Sequence, residues 1–199
     1  MGRAGGGARE RYPFLMEPVT LRTARLELSL PRPGDAEAIT AAAADPEVPR
    51  WTTLPSPYSL DDAVDFIARA ARWTAEGSQL NWAIRHDGAW VGMIGLAHLQ
   101  SGGAAEIGYW MAASARGQGL LTEAARAVVD YGFEELTLAR IEWRAVVGNI
   151  PSARAARRLG FRYEGMLRQA LSDSRGRHDG WIAGLLRDDD RTVTEWPVL

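Results

Sequence analysis

The clearest pattern along the chain is a set of short apolar segments with strand character, separated by turn residues. Residues 80–86 and 104–111 read as strands of an antiparallel set. Between them, residues 89–99 are apolar on both faces, from Trp90 through Ala97, so this strand is predicted to be central. Asp87-Gly88 joins the first two as a tight hairpin, and Gly102-Gly103 makes the next turn. Upstream, residues 25–30 alternate and stop at Pro31 and Pro33. Downstream, residues 140–147, 161–171 and 181–186 read as further strands, the last two joined by a polar turn around Ser174-Arg175-Gly176-Arg177.

Helical spacing appears elsewhere. Residues 34–44 are alanine-rich and end at Asp45-Pro46. Residues 46–57 hold four prolines and read as a loop. Ser59 followed three residues later by Asp62 has the form of a capping box, and the helix after it sets Ala63, Phe66, Ile67, Ala70 and Trp73 on one face. A long helix over 117–136 turns Leu121, Ala125, Val128, Gly132 and Phe133 to the sheet and Glu123, Arg126, Asp130 and Glu134 to water. Pro151 fits the first turn of a last helix and Gly160 its end. Because a helix intervenes, strand 140–147 can run parallel to strand 104–111. The expected architecture is α/β (α+β): a mixed, mostly antiparallel sheet of six to seven strands with helices on both faces. Residues 17–199 are expected to form a single domain. Residues 1–16, glycine- and arginine-bearing with little apolar surface, read as a flexible tail, with Met16 an alternative start.

Composition narrows the chemistry. A chain of 199 residues can bury a real core. The net charge of -2 gives no field that draws nucleic acid or an anionic membrane. With no cysteine there is no disulfide, thiolate metal site or cysteine nucleophile. The three histidines lack ligand spacing, and Asp188, Asp189 and Asp190 lie in a row without converging, so no metal is expected. No apolar run is long enough to span a bilayer, and no export signal is seen, which makes the cytoplasm the expected location.

The most informative stretch is residues 106–124, where a strand ends near Met111 and Arg116, Gly117, Gln118 and Gly119 open a helix. The first N–H groups of a helix have no partner within it, and the helix dipole adds partial positive charge. Glycine lets an anion approach the backbone. A phosphate-bearing ligand is implied. No Gly-Lys-Ser/Thr follows, so this is not a nucleotide-hydrolysing P-loop.

These residues resemble the R/Q-x-x-G-x-G/A signature of the GCN5-related N-acetyltransferases (the GNAT fold), most closely the RimJ/RimL-type branch. The resemblance is carried by Ile107-Gly108-Tyr109-Trp110, Arg116-Gly117-Gln118-Gly119-Leu120-Leu121 and Thr122-Glu123-Ala124. A second motif follows, Asn149-Ile150-Pro151-Ser152-Ala153-Arg154, then Leu159-Gly160-Phe161 and Glu164-Gly165. Leu121 departs from the signature, which prefers Gly or Ala there. The resemblance implies an acyltransferase that takes acetyl-CoA as co-substrate and delivers the acetyl group to a primary amine, either a protein N-terminus or a small molecule. The alternative is a non-catalytic CoA or acetyl-CoA sensor or partner module. A homodimer is a further possibility.

Under that resemblance, backbone N–H groups of Gln118, Gly119, Leu120 and Leu121 cradle the pyrophosphate, and Arg116 adds charge-assisted contacts. The pantetheine arm pairs with the strand end at Met111, whose N–H is the candidate oxyanion donor. Glu106 is the candidate general base, acting through a water. It lies five residues before Met111, so the two share a face only if a bulge intervenes, as is usual in the family. Ser152 is the candidate proton donor to the departing thiolate, with Tyr163 behind it, although a helix-start Ser often only caps. Asn149 orders the coenzyme or the loop. Trp51 and Tyr58 are expected to border the acceptor, with Asp173 as the nearby carboxylate.

Overall fold

The computed structural model describes residues 17–99, 103–173 and 175–199. The expected tail over 1–16 lies outside the described residues, as do Gly102 and Ser174 of the two expected turns.

The described chain forms one eight-stranded sheet in the order β1-β2-β3-β4-β5-β6-β8-β7. The strands are β1 (Leu21–Arg22), β2 (Leu26–Ser29), β3 (Leu80–His86), β4 (Ala89–Ala97), β5 (Ala104–Met111), β6 (Arg140–Val146), β7 (Arg162–Asp173) and β8 (Gly176–Leu186). The helices are α1 (Ala36–Ala43), α2 (Glu47–Trp51), α3 (Leu60–Ala75), α4 (Leu120–Glu134) and α5 (Ile150–Arg158). The two-residue strand β1 carries the count past the expected seven. Every pairing is antiparallel except β5 with β6, where α4 supplies the crossover.

Local rules explain much of this. Asp87 and Gly88 take φ of 50° and 78°, the left-handed pair that a two-residue hairpin needs. Ser59 accepts from the Asp62 N–H at 3.1 Å while the Asp62 carboxylate accepts from the Ser59 N–H at 2.8 Å, closing the capping box of α3. Residues 46–57 are not all loop, since they contain α2. Its prolines fall at 46 and 49, at the helix start, where a missing N–H costs nothing.

The two faces of the sheet are covered differently. On one, α4 and α5 pack over alternate strand residues, including Ile107, Tyr109 and Met111 of β5 and Ile141, Trp143 and Ala145 of β6. Helix α4 begins at Leu120 instead of 117; Leu120 is fully buried, and Leu121 packs partly buried against the same core. On the outer side of α4, Glu123 takes Thr23 and Arg25 in contacts at the surface. On the opposite face, α1 and α3 bury Ile39, Ala63 and Ile67 against Trp90 and Trp110. There Arg85 of β3 donates two 2.7 Å bonds to Asp35, just before α1, and both side chains are at most 5 % exposed. Burial alone would raise the Asp35 carboxyl, but Arg85 and the Arg32 N–H hold it below its usual range.

Helix cover on that face gives way to a charge ladder over β6, β8 and β7. Arg140 pairs with Glu142 at 3.0 Å and with Glu164 at 2.5 Å. The two side chains meet across Gly184, where a Cβ would overlap both. Among the described residues, no helix is long and apolar enough to cross a membrane, and no cluster of His, Asp and Glu could hold a metal ion.

Candidate active site at the β5–β6 gap

The site is built on a divergence of two strands. β5 pairs with β4 without interruption from Glu106↔Ala97 to Met111↔Gly92. On its other side β5 pairs with β6 only from Ala104↔Arg140 to Ile107↔Trp143. Beyond Ile107 the strands separate.

Antiparallel ladders alternate which edge their polar groups face. The Ala112 N–H donates to Val91 C=O at 3.0 Å, continuing the bonds to β4. The N–H and C=O of Met111 therefore point the other way, toward the gap. The Met111 carbonyl accepts from Nε and Nη2 of Arg116 at 3.1 and 3.0 Å. The Met111 N–H is aimed at the space that β6 has left.

The glycine turn lies just beyond. Gly117 and Gly119 both take φ of 76°, left-handed geometry that Cβ-bearing residues rarely adopt. The first main-chain bond of α4 runs from the Glu123 N–H to Gly119 C=O, so the N–H groups of Leu120, Leu121 and Thr122 lie outside the helical ladder. Gln118 folds back on Ser114 C=O at 2.7 Å, which leaves its main chain to line the turn. Such a concave run of donors fits a diphosphate. Arg116 is not directed to it. Its guanidinium holds Met111, and its Nη1 lies 2.7 Å from Asp45. The Asp45 carboxyl is held low by the Glu47 N–H and by Arg116.

Across the gap stands the start of α5. Asn149 caps this helix by accepting the Ser152 N–H at 3.3 Å, so the Ser152 hydroxyl is not the cap. That hydroxyl accepts from Trp143 Nε1 at 3.0 Å and donates to the Tyr109 hydroxyl at 3.4 Å. Tyr109 donates in turn to Ser152 C=O at 3.1 Å, and burial pushes its phenol far above the ordinary range. From sequence, Tyr109 belongs only to a family string, and neither it nor Trp143 is a candidate site residue. The signal was there, since Tyr109 shares the period-two face of Ile107 and Met111. Tyr163 sits elsewhere, packed against Trp196 with ring centres 5.6 Å apart and planes tilted by 46°.

Glu106 faces the opposite side of the sheet from Met111. The expected bulge is absent from β5, and the register shift of this region falls in β4, opposite Ile84 and Arg85. Glu106 lies in the charge ladder, 3.7 Å from Arg144, which also holds Glu142 at 2.9 Å. Burial raises its carboxyl above the usual 4.5, while Arg144 and His98 oppose the rise.

Beside this centre, α1, α2 and the loop after it enclose a cleft of about 700 Å³ lined by Ala44, Pro46, Tyr58 and Asp173 among others. Trp51 does not line it. Its indole donates to Glu47 at 3.0 Å and its far edge approaches Gly148, at the turn before Asn149. Asp173 is engaged by Arg175 and by His178 at 2.9 Å, and these bonds hold it far below the usual carboxylate range. It is a fixed anion, unsuited to taking a proton.

Comparison with known proteins supports one family. A profile described as an acetyltransferase (GNAT) domain matches residues 25–162. YdaF of Bacillus subtilis, provisionally named a ribosomal N-acetyltransferase, is 40% identical over 119 residues, covering 58% of this chain and 65% of its own length. The chain thus spans somewhat under two thirds of that relative. A crystal structure of a probable acetyltransferase superposes with a TM-score of 0.78 at 32% identity, covering 85% of this chain and 97% of the other. RimJ of Mycobacterium smegmatis, solved with a CoA-disulfide, shares the fold with a TM-score of 0.76 at 24% identity, over 85% of this chain and 86% of its own.

Proposed function

The chain belongs to the GNAT acetyltransferase family, and from that premise we propose that it moves an acetyl group from acetyl-CoA to a primary amine by direct attack within a ternary complex. The motif strings are those of the RimJ/RimL-type branch, and the chain is an N-acetyltransferase by family. The observation that carries the finer reading is the β5–β6 gap. One unpaired strand N–H, one glycine turn and one serine hydroxyl converge on it from three elements.

Acetyl-CoA supplies an activated thioester, a diphosphate and an extended amide arm. The left-handed Gly117 and Gly119 open the turn, and the main-chain N–H groups of Gln118, Gly119, Leu120 and Leu121 receive the diphosphate. The amide arm lies along the unpaired edge of β5 as an added strand would. Met111 N–H donates to the oxyanion, and its place in the ladder with β4 keeps it preorganised. Ser152 Oγ–H, oriented by Trp143 and Tyr109, donates a hydrogen bond to the departing thiolate, which takes its proton from solvent as the amine proton leaves through Glu106 and its water. Asn149 holds the helix start that carries it.

Glu106 stands on the acceptor's face and removes the amine proton through a water. Its raised carboxyl is the right direction for a base working near neutral pH, and it must be ionised to act. The acceptor enters by the cleft beside α2, with Tyr58 on its wall, Trp51 near the gap and Asp173 as a fixed negative charge. A protein N-terminus is the favoured acceptor, on the name borne by YdaF, with a small-molecule amine as the other class.

A screen of peptide N-termini and small amines with detection of released thiol tests the reading. Turnover is expected for at least one of them. Glu106→Gln is expected to lower kcat/KM at neutral pH about tenfold or more. Tight acetyl-CoA binding with no turnover on any amine would replace the enzyme with a sensor.

A further inference from the structure

The side chain of Arg116 turns away from the diphosphate turn and is fully engaged elsewhere. Nε and Nη2 form a fork on the Met111 carbonyl at 3.1 and 3.0 Å. Nη1 reaches Oδ2 of Asp45 at 2.7 Å. The other oxygen of Asp45 accepts the Glu47 N–H at 3.0 Å, at the start of α2. Asp45 lies between Ala44 and Pro46, both of which line the cleft beside α2. One guanidinium therefore joins three things: the last residue of β5, the turn that begins α4, and the segment between α1 and α2.

The bonding at the strand end gives this junction a purpose. The peptide that follows Met111 is gripped twice, its carbonyl by Arg116 from the gap side and its N–H by Val91 C=O from the β4 side. The plane of that peptide cannot turn without breaking one grip. The N–H and C=O of a strand residue project to the same side, so orienting the carbonyl also orients the Met111 N–H. A forked donor is needed to hold a carbonyl and a carboxylate at once. Lysine offers only a point charge.

We propose that Arg116 is a positioning residue: it locks the Met111 end of β5 and, through Asp45, ties the acceptor-side segment between α1 and α2 to that strand end. The inference deepens the acetyl-transfer reading and rests on it for the role of the Met111 N–H. The alternative from sequence is that Arg116 contacts a phosphate of the coenzyme. The two assign different kinetic constants to the same side chain. A phosphate ligand affects acetyl-CoA affinity. A strand-end clamp affects turnover and leaves that affinity in place.

The test compares the wild-type protein with Arg116→Gln, Asp45→Asn and the double variant. Three quantities are read: acetyl-CoA affinity by calorimetry, steady-state thiol release, and amide hydrogen exchange at Ala112. For Arg116→Gln, exchange at Ala112 is expected to rise about tenfold, because the grip on the opposite side of its peptide is lost. Its kcat is expected to fall about tenfold, with acetyl-CoA affinity changed less than about twofold. Asp45→Asn is expected to shift the acceptor KM more than kcat. The double variant is expected to be no worse than Arg116→Gln alone, since both changes break one chain of contacts. Lost acetyl-CoA affinity with unchanged kcat would overturn the proposal in favour of a phosphate contact. Unchanged exchange at Ala112 would overturn it as well. If wild-type protein releases no thiol with any amine, the acetyl-transfer reading fails, and the exchange comparison still decides whether the clamp exists. Should Arg116→Gln prove unfolded by circular dichroism, Arg116→Lys decides by the same exchange measurement, since it keeps the charge and loses the fork on Met111.

Discussion

The two edges of β5 are held in opposite ways. Toward β4 the strand is paired from Glu106 to Met111 without a break. Toward β6 it is paired only to Ile107 and then runs free. The first edge belongs to a half of the sheet covered by helices on both faces and anchored by the buried Asp35–Arg85 pair. The second edge opens into a half whose outer face is a ladder of charges from Glu106 to Glu164. A strand end that must present an N–H without a partner needs another edge that does not yield. Rigidity on one side and unsatisfied bonding on the other are the same design seen from two edges.

The comparison breaks most severely at its anchor. Asp35→Ala leaves the Arg85 guanidinium buried without its partner, and about 3–5 kcal/mol of stability should be lost in urea denaturation. The same pair makes a pH prediction. A depressed carboxyl contributes stability above its unfolded value, and that contribution is lost as pH falls through the still lower folded value. Wild-type stability should therefore decline in acid, and Asp35→Ala should flatten the part of that decline due to this group. A flat wild-type profile would show that the anchor contributes little.

Smaller effects are expected on the open side, and they should appear in rate instead of stability. Ser152→Ala removes the hydroxyl between Trp143 and Tyr109, and kcat should fall about tenfold, or roughly 1.4 kcal/mol. An unchanged kcat would reduce Ser152 to a support for Trp143. The smallest shift belongs to Arg144→Ala. Arg144 opposes the burial that raises Glu106, so its loss should raise the carboxyl further. The acid limb of kcat/KM should then move to higher pH. A limb that stays in place in this variant, or that persists in Glu106→Gln, would assign it to another group.

Legibility followed sequence distance. The β3–β4 hairpin, the capping box of α3 and the glycine turn before α4 were readable because each rests on a few adjacent residues with fixed dihedral or bonding needs. Helix α2 was hidden because its prolines read as breakers, although at a helix start they break nothing. Leu121 packs on the core as its helical spacing implies, while the full burial of Leu120 beside it depends on how the first turn of α4 docks on the sheet. The bulge expected in β5 failed for a different reason: bulges belong to pairs of strands, and only the registered partner shows which strand carries one.

What the sequence determined by itself is therefore local: strand and helix periods, the capping residues, the left-handed glycines, and the strings that mark the family. What only the tertiary structure decided is which of these groups are already engaged. Arg116 meets Asp45, 71 positions away in the chain, and Ser152 meets Tyr109 across the gap. Hydrogen bonds and ion pairs depend on a few tenths of an ångström of separation. Two residues far apart in sequence acquire that separation only when the sheet between them has its register.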